Sequence, residues 1–96
     1  MPKAVLEFHK KDIFPDGSIV EIKIWRLPVT DSERPHGWKY SLCFGRSGER
    51  LVADDNERGK GDHRYRGPFE EPYVFTTLER LILDFRVDVE RMRRAP

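Results

Sequence analysis

Cysteine is almost absent from this 96-residue chain. The single Cys43 excludes an internal disulfide and any zinc site built on thiolates. The three histidines, His9, His36 and His63, are far apart, with no His-x-x-x-His pair, so a structural metal is not expected. No apolar run approaches the roughly 18 residues of a membrane span. The opening Met1-Pro2-Lys3-Ala4 has no apolar segment of the signal-peptide kind, so a cytoplasmic location without a membrane partner is expected. Net charge is nearly nil: 18 Lys plus Arg against 17 Asp plus Glu leaves +1. This balance excludes a polyelectrolyte tail and a surface that is basic all round, so any phosphate-binding patch must be local. There is no internal repeat and no low-complexity segment.

What remains is a short, densely charged chain. Hydrophobic residues make up 38%, enough for one modest core, and the length fits one domain over residues 1–96. Charged residues reach 36%, above the roughly 25% usual for globular domains. Twelve arginines stand against six lysines. Arginine suits planar, bidentate contacts with phosphate or carboxylate.

The pattern predicts strands first and one helix last. Ala4 to Phe14 is an extended segment with Ala4, Leu6 and Phe8 on one face. Phe14-Pro15-Asp16-Gly17-Ser18 is a turn, because proline presets φ and glycine supplies a positive φ. Ser18 to Leu27 alternates Val20, Ile22 and Ile24 against Ile19, Glu21, Lys23 and Trp25, the period of a strand inside a sheet. Pro28 ends it, and 29–36 is a polar loop. Gly37 to Gly45 places Trp38, Tyr40, Leu42 and Phe44 on one face. Arg46-Ser47-Gly48-Glu49 turns the chain, and Arg50 to Asp54 pairs back. Residues 55–72 read as a long functional loop with Gly59, Gly61, Gly67, Pro68 and Pro72, followed by an extended stub at Tyr73-Val74-Phe75. Thr76-x-x-Glu79 is a capping-box sequence opening a helix over about 76–93. Its stripe of Leu78, Leu81, Ile82, Phe85, Val89 and Met92 spans about 100° and faces the core. The expected fold is α+β: a mostly antiparallel sheet of about four to five strands with the C-terminal helix packed on one face.

Chemistry concentrates in residues 54–66, Asp54-Asp55-Asn56-Glu57-Arg58-Gly59-Lys60-Gly61-Asp62-His63-Arg64-Tyr65-Arg66. Metal-free RNA cleavage needs a base for the 2′-OH, an acid for the leaving oxygen and cations for the phosphorane. His63 can be base or acid, with Glu57 or Asp62 as partner or orienting group. Lys60, Arg64 and Arg66 can hold phosphate, and Gly59 and Gly61 let backbone approach a ligand. Neither a Walker A loop nor a dinucleotide fingerprint is present, so no cofactor is expected. The bland alternative is a surface loop knitted by its own ion pairs. Asp54, Asp55 and Glu57 can also be read as hard ligands for Mg²⁺, but the adjacent Arg and Lys compete for them.

His36, in Arg34-Pro35-His36-Gly37, either joins this site with Arg34 or makes only a turn contact. Trp25 is either sheet packing or a base-stacking platform. Cys43 reads as a packed thiol. Arg91, Arg93 and Arg94 match the helix dipole. Leu83 and Val87 lie on the helix face away from the core stripe, among Arg80, Asp84, Asp88 and Arg91. An apolar pair in a charged rim is an interface pattern, for a homodimer or another partner; isolated apolar residues are also common on ordinary surfaces.

Residues 55–64, Asp-Asn-Glu-Arg-Gly-Lys-Gly-Asp-His-Arg, together with Glu71-Pro72-Tyr73-Val74-Phe75, Ile24-Trp25-Arg26-Leu27-Pro28 and Arg34-Pro35-His36-Gly37-x-Lys39-Tyr40, resemble the TumE-type toxins. Asp84-Phe85 and Asp88 on the helix add to the likeness, which spans about Lys3 to Arg91. The resemblance implies the toxin half of a bacterial type II toxin–antitoxin module, silenced by a helix-turn-helix antitoxin. Small toxins of this size are frequently ribonucleases, and the residues of the 54–66 segment suit that chemistry. A non-catalytic nucleic-acid- or protein-binding module using the same segment is the alternative. The family often carries a second histidine after Lys-Gly-Asp-His-Arg. Here that place is Tyr65, an auxiliary candidate whose phenol has an ordinary pKa of about 10.

Overall fold

The computed structural model describes residues 3–56 and 59–94. Six strands form one antiparallel sheet in chain order: β1 (Val5–Ile13), β2 (Ile19–Arg26), β3 (Trp38–Arg46), β4 (Glu49–Asp55), β5 (His63–Arg66) and β6 (Phe69–Pro72). One helix, α1 (Leu78–Arg94), follows and covers one face. The α+β expectation holds, with more strands than the sequence pattern suggested. The addition lies within 55–72, expected to be a loop: β5 pairs with β4 and β6 pairs with β5. Gly67, at φ +59°, turns the chain between them. The hairpin escapes periodicity because both strands have only four residues, with polar or charged groups on both faces.

The covered face is built by period-2 alternation on β2 and β3. Val20, Ile22 and Ile24 and then Tyr40, Leu42 and Phe44 are buried, and Val52 joins them from β4. Leu81, Phe85 and Val89 close the core from α1, with Leu78, Ile82 and Met92 packed against it. The helical stripe read from the sequence is therefore the core face. The cap is displaced by one residue. Thr77 Oγ1 accepts from the Arg80 amide at 3.1 Å, so Thr77, not Thr76, begins the helix.

β1 also departs from its alternation. A bulge between Leu6 and Phe8 sets Leu6 opposite Trp25 and Phe8 opposite Ile24. The two side chains therefore lie on opposite faces, not one. Every residue of β1 is exposed, as on an edge strand, and its Lys10 and Asp12 line an open recess together with Phe85 and Val89 of α1.

The β3–β4 hairpin turns through Ser47 and Gly48, both at positive φ, the geometry that matches strand twist. A bulge beside it brings the Glu49 carbonyl against Gly45, where an added Cβ would collide with backbone. Gly45→Ala is expected to lower stability by about 1–3 kcal/mol, the usual cost of overpacking. Urea unfolding should show a lower midpoint with an unchanged slope.

Candidate active site

Asp62, just before β5, is held by three side chains. Its Oδ1 accepts from the Tyr40 hydroxyl at 2.7 Å, from Asn56 Nδ2 at 3.3 Å and from His36 Nε2 at 3.1 Å. Asn56 is buried and does the work of a peptide group. Its Oδ1 accepts from the Tyr40 amide at 3.0 Å and its Nδ2 donates to the Trp38 carbonyl at 2.7 Å. The carboxamide thus extends the β3–β4 ladder past the end of β4. Burial, then the bond to Asp62, holds the Tyr40 phenol far above its ordinary value.

His36 has no free ring nitrogen. Nδ1 accepts from the Trp38 amide at 3.1 Å, so Nε2 carries the hydrogen and donates to Asp62. Phe75 stacks on the ring at 3.9 Å between centroids. Arg34 is likewise engaged: its guanidinium donates to Asp31 Oδ2 at 2.9 and 3.2 Å. Both auxiliary candidates tie down the 27–37 loop. A second tie runs from the Gly59 amide to Glu33 Oε2 at 2.8 Å.

His63 is the next residue along, and alternation turns it to the opposite face, away from α1. It lies across from Asp55 on β4. Nδ1 faces the Gly61 carbonyl at 3.3 Å and must donate there. Neutral His63 therefore presents an unprotonated Nε2, which lies 3.8 Å from Glu70 Oε1. Lys60 reaches the same place: Nζ lies 3.3 Å from the Tyr65 hydroxyl and 3.8 Å from Glu70 Oε1. Those two contacts push the Lys60 ammonium above its ordinary value and keep it cationic. The Arg50 guanidinium covers the Tyr65 ring at 4.2 Å.

Arg64 and Arg66 alternate to the helix side. Arg64 bonds the buried carboxylate of Asp88 at 2.6 Å and lies 3.3 Å from Glu71. Arg66 reaches Glu71 at 2.7 Å. The sequence candidates therefore divide. His63, Lys60 and Tyr65 meet on one face, Arg64 and Arg66 on the other, and Asp62 bonds inward to His36. Glu57 lies outside the described residues.

Glu70 and Arg50 complete the His63 cluster and were missed. Finding Glu70 required the β5–β6 register, which places it opposite Tyr65; Gly67-Pro68 was the only turn signal for it. Among the described residues, no group of three or more His, Cys, Asp or Glu side chains is disposed to hold a metal. No described helix is long and apolar enough to cross a membrane.

A family model described as Toxin TumE matches residues 3–93. The chain belongs to the TumE toxin family. The family name supports a toxin of a toxin–antitoxin system, and hence an antitoxin partner. No curated protein and no solved structure matches the chain.

On the helix side, Asp54 is buried opposite Arg64, with Oδ2 lacking a hydrogen-bond partner among the described residues. Burial raises its carboxyl to about 7; Asp88 and Asp84 add to the rise and Arg64 opposes it. A carboxyl raised on folding binds its proton more tightly in the native state. Its stabilising contribution is complete below the unfolded value, near 4, and disappears as pH rises through about 7. Relative to Asp54→Asn, the wild-type chain should therefore lose stability between about pH 4 and pH 7 and level off above. Paired urea titrations at stepped pH check this.

Proposed function

We propose that this toxin is a metal-independent endoribonuclease, acting in the cytoplasm, with His63 as its general base. The observation that supports this reading most strongly is the unprotonated Nε2 of His63 beside the Lys60 ammonium, on the face that α1 leaves uncovered. Nε2 takes the proton of a ribose 2′-OH. The 2′-oxygen attacks the adjacent phosphorus, the bond to the 5′-oxygen breaks, and that oxygen takes a proton from water. The products are a 2′,3′-cyclic phosphate and a 5′-hydroxyl. Lys60 offsets the charge that builds on the phosphorane. Glu70 faces the imidazolium that forms, and Tyr65 fixes the Lys60 ammonium. Asp62 serves as a positioning residue, and Arg64 and Arg66 brace the hairpin that carries His63.

The antitoxin, of helix-turn-helix type in this reading, meets α1 at Leu83 and Val87. These side chains are 52% and 40% exposed. They line a recess of about 400 Å³ with Arg64, Arg80, Asp84, Asp88 and Arg91. An apolar centre inside a charged rim suits a specific, reversible contact; a second copy of this chain is the competing occupant.

His63→Ala should remove toxicity on induced expression and slow RNA cleavage by about 10²–10⁴-fold, while circular dichroism stays unchanged. Leu83→Glu with Val87→Lys should leave cleavage intact and release the antitoxin. A folded His63→Ala protein that still arrests growth removes the catalytic role and favours a binding module.

A further inference from the structure

The face carrying His63 extends across the whole sheet, and α1 does not cover it. Sheet register sets His9, Lys23, Ser41, Asp55 and His63 in one row from β1 to β5. The neighbouring row brings Leu6, Trp25 and Lys39 together. Lys39 Nζ lies over the Trp25 indole at 5.1 Å. Among the described residues, Lys11, Lys23 and Lys39 make no ion pair. Lys11 and Lys23 lie close enough to Glu21 to help lower its carboxyl, although the His9 hydrogen bond is the larger cause. With Arg50 and Lys60, five full cations share this face with Glu21, Asp55 and Glu70.

On the helix side most of the arginines are paired. There Arg64 and Arg66 are held by Asp88 and Glu71, and Arg80 by Asp84. Arg86 and Arg91 on α1 also make no ion pair among the described residues, so what sets the uncovered face apart is the gathering of Lys11, Lys23 and Lys39 on one sheet surface. That charge sits in line with one half-buried indole and with the histidine proposed above as the base.

We infer that this face is the track for a single RNA strand, with Trp25 stacking a base and Lys23 and Lys39 holding phosphates on the way to His63. The inference rests on the ribonuclease reading and extends it to substrate class. Adjacent strands are about 4.8 Å apart, so β2 and β5 are separated by about 14 Å, a span of a few nucleotides. An aromatic side chain between lysines is the usual means of binding single strands without reading sequence. A duplex keeps its bases stacked inside and offers Trp25 no ring. The Lys39 ammonium now lies over the indole, and a base stacking there would displace it toward the attached phosphate.

The test is binding of a fluorescein-labelled RNA oligonucleotide to the His63→Ala protein, read by anisotropy over a salt series, beside single-turnover cleavage by proteins that retain His63. Trp25→Leu should weaken binding about tenfold or more, and Trp25→Phe should keep most of it. Lys23→Gln and Lys39→Gln should each flatten the salt slope by about 0.7. The same sequence as a duplex should bind more weakly. Unchanged affinity in Trp25→Leu, with cleavage of RNA by the otherwise wild-type protein, overturns the track and leaves the ribonuclease standing. Absence of both RNA binding and cleavage in the wild-type protein overturns both. Release of the antitoxin by Trp25→Leu, without loss of RNA affinity, assigns the face to a protein and overturns the track.

Discussion

The Asp62 carboxylate fixes which way His63 points. Asp62 is drawn toward the core by Tyr40, Asn56 and His36, three groups supplied by β3, the end of β4 and the 27–37 loop. Residues along a strand alternate faces, so anchoring one fixes its neighbour. With Asp62 turned inward, His63 must face outward and Arg64 inward again. A one-residue slip would bury His63 and expose Arg64. The anchor is costly to disturb, because Tyr40 is almost fully buried and would be left with an unpaired hydroxyl.

The two faces of the hairpin then do different work. Inward, Arg64 compensates Asp88 on α1 and lies opposite Asp54, so the hairpin is fastened to the helix by charge where the apolar core ends. Burying such a pair costs desolvation that its attraction only partly repays. Its value is the specific seating of β5 and β6 on α1. Outward, the charges belong to flexible ends over Tyr65 and remain accessible. At the other edge, β1 leaves Val5, Leu6 and Ile13 exposed. Its bulge and the adjacent Lys10 and Lys11 discourage further strand addition.

Much of this was legible in the sequence where burial imposes a period. β2, β3 and the stripe on α1 follow from alternation and from 3.6-residue spacing, because each has one apolar face. The first hairpin turn was equally readable from Pro15 and Gly17. The β5–β6 hairpin was not, because its strands carry charges on both faces and only Tyr65 is buried. The β1 bulge was hidden because an extra residue leaves no compositional trace. Thr76 and Thr77 are both competent caps, and the cap bond is made by Thr77. The catalytic candidates were found as a cluster along the chain, but a cluster in sequence becomes two clusters in space once the segment is a strand. That is why Arg64 and Arg66 part from His63, while Glu70, which lies outside the 54–66 segment, joins it. Asp54 and Asp88 gave no sign of burial, since each reads as a surface charge until its arginine partner is placed.

The account stands on His63 as a base acting on a 2′-hydroxyl, and the ends of the RNA fragments test this most directly. Fragments made by the purified wild-type protein should carry 2′,3′-cyclic phosphates and 5′-hydroxyls, and His63→Gln should make none. Fragments with 3′-hydroxyls and 5′-phosphates would contradict it, because that outcome requires water rather than the ribose oxygen as nucleophile.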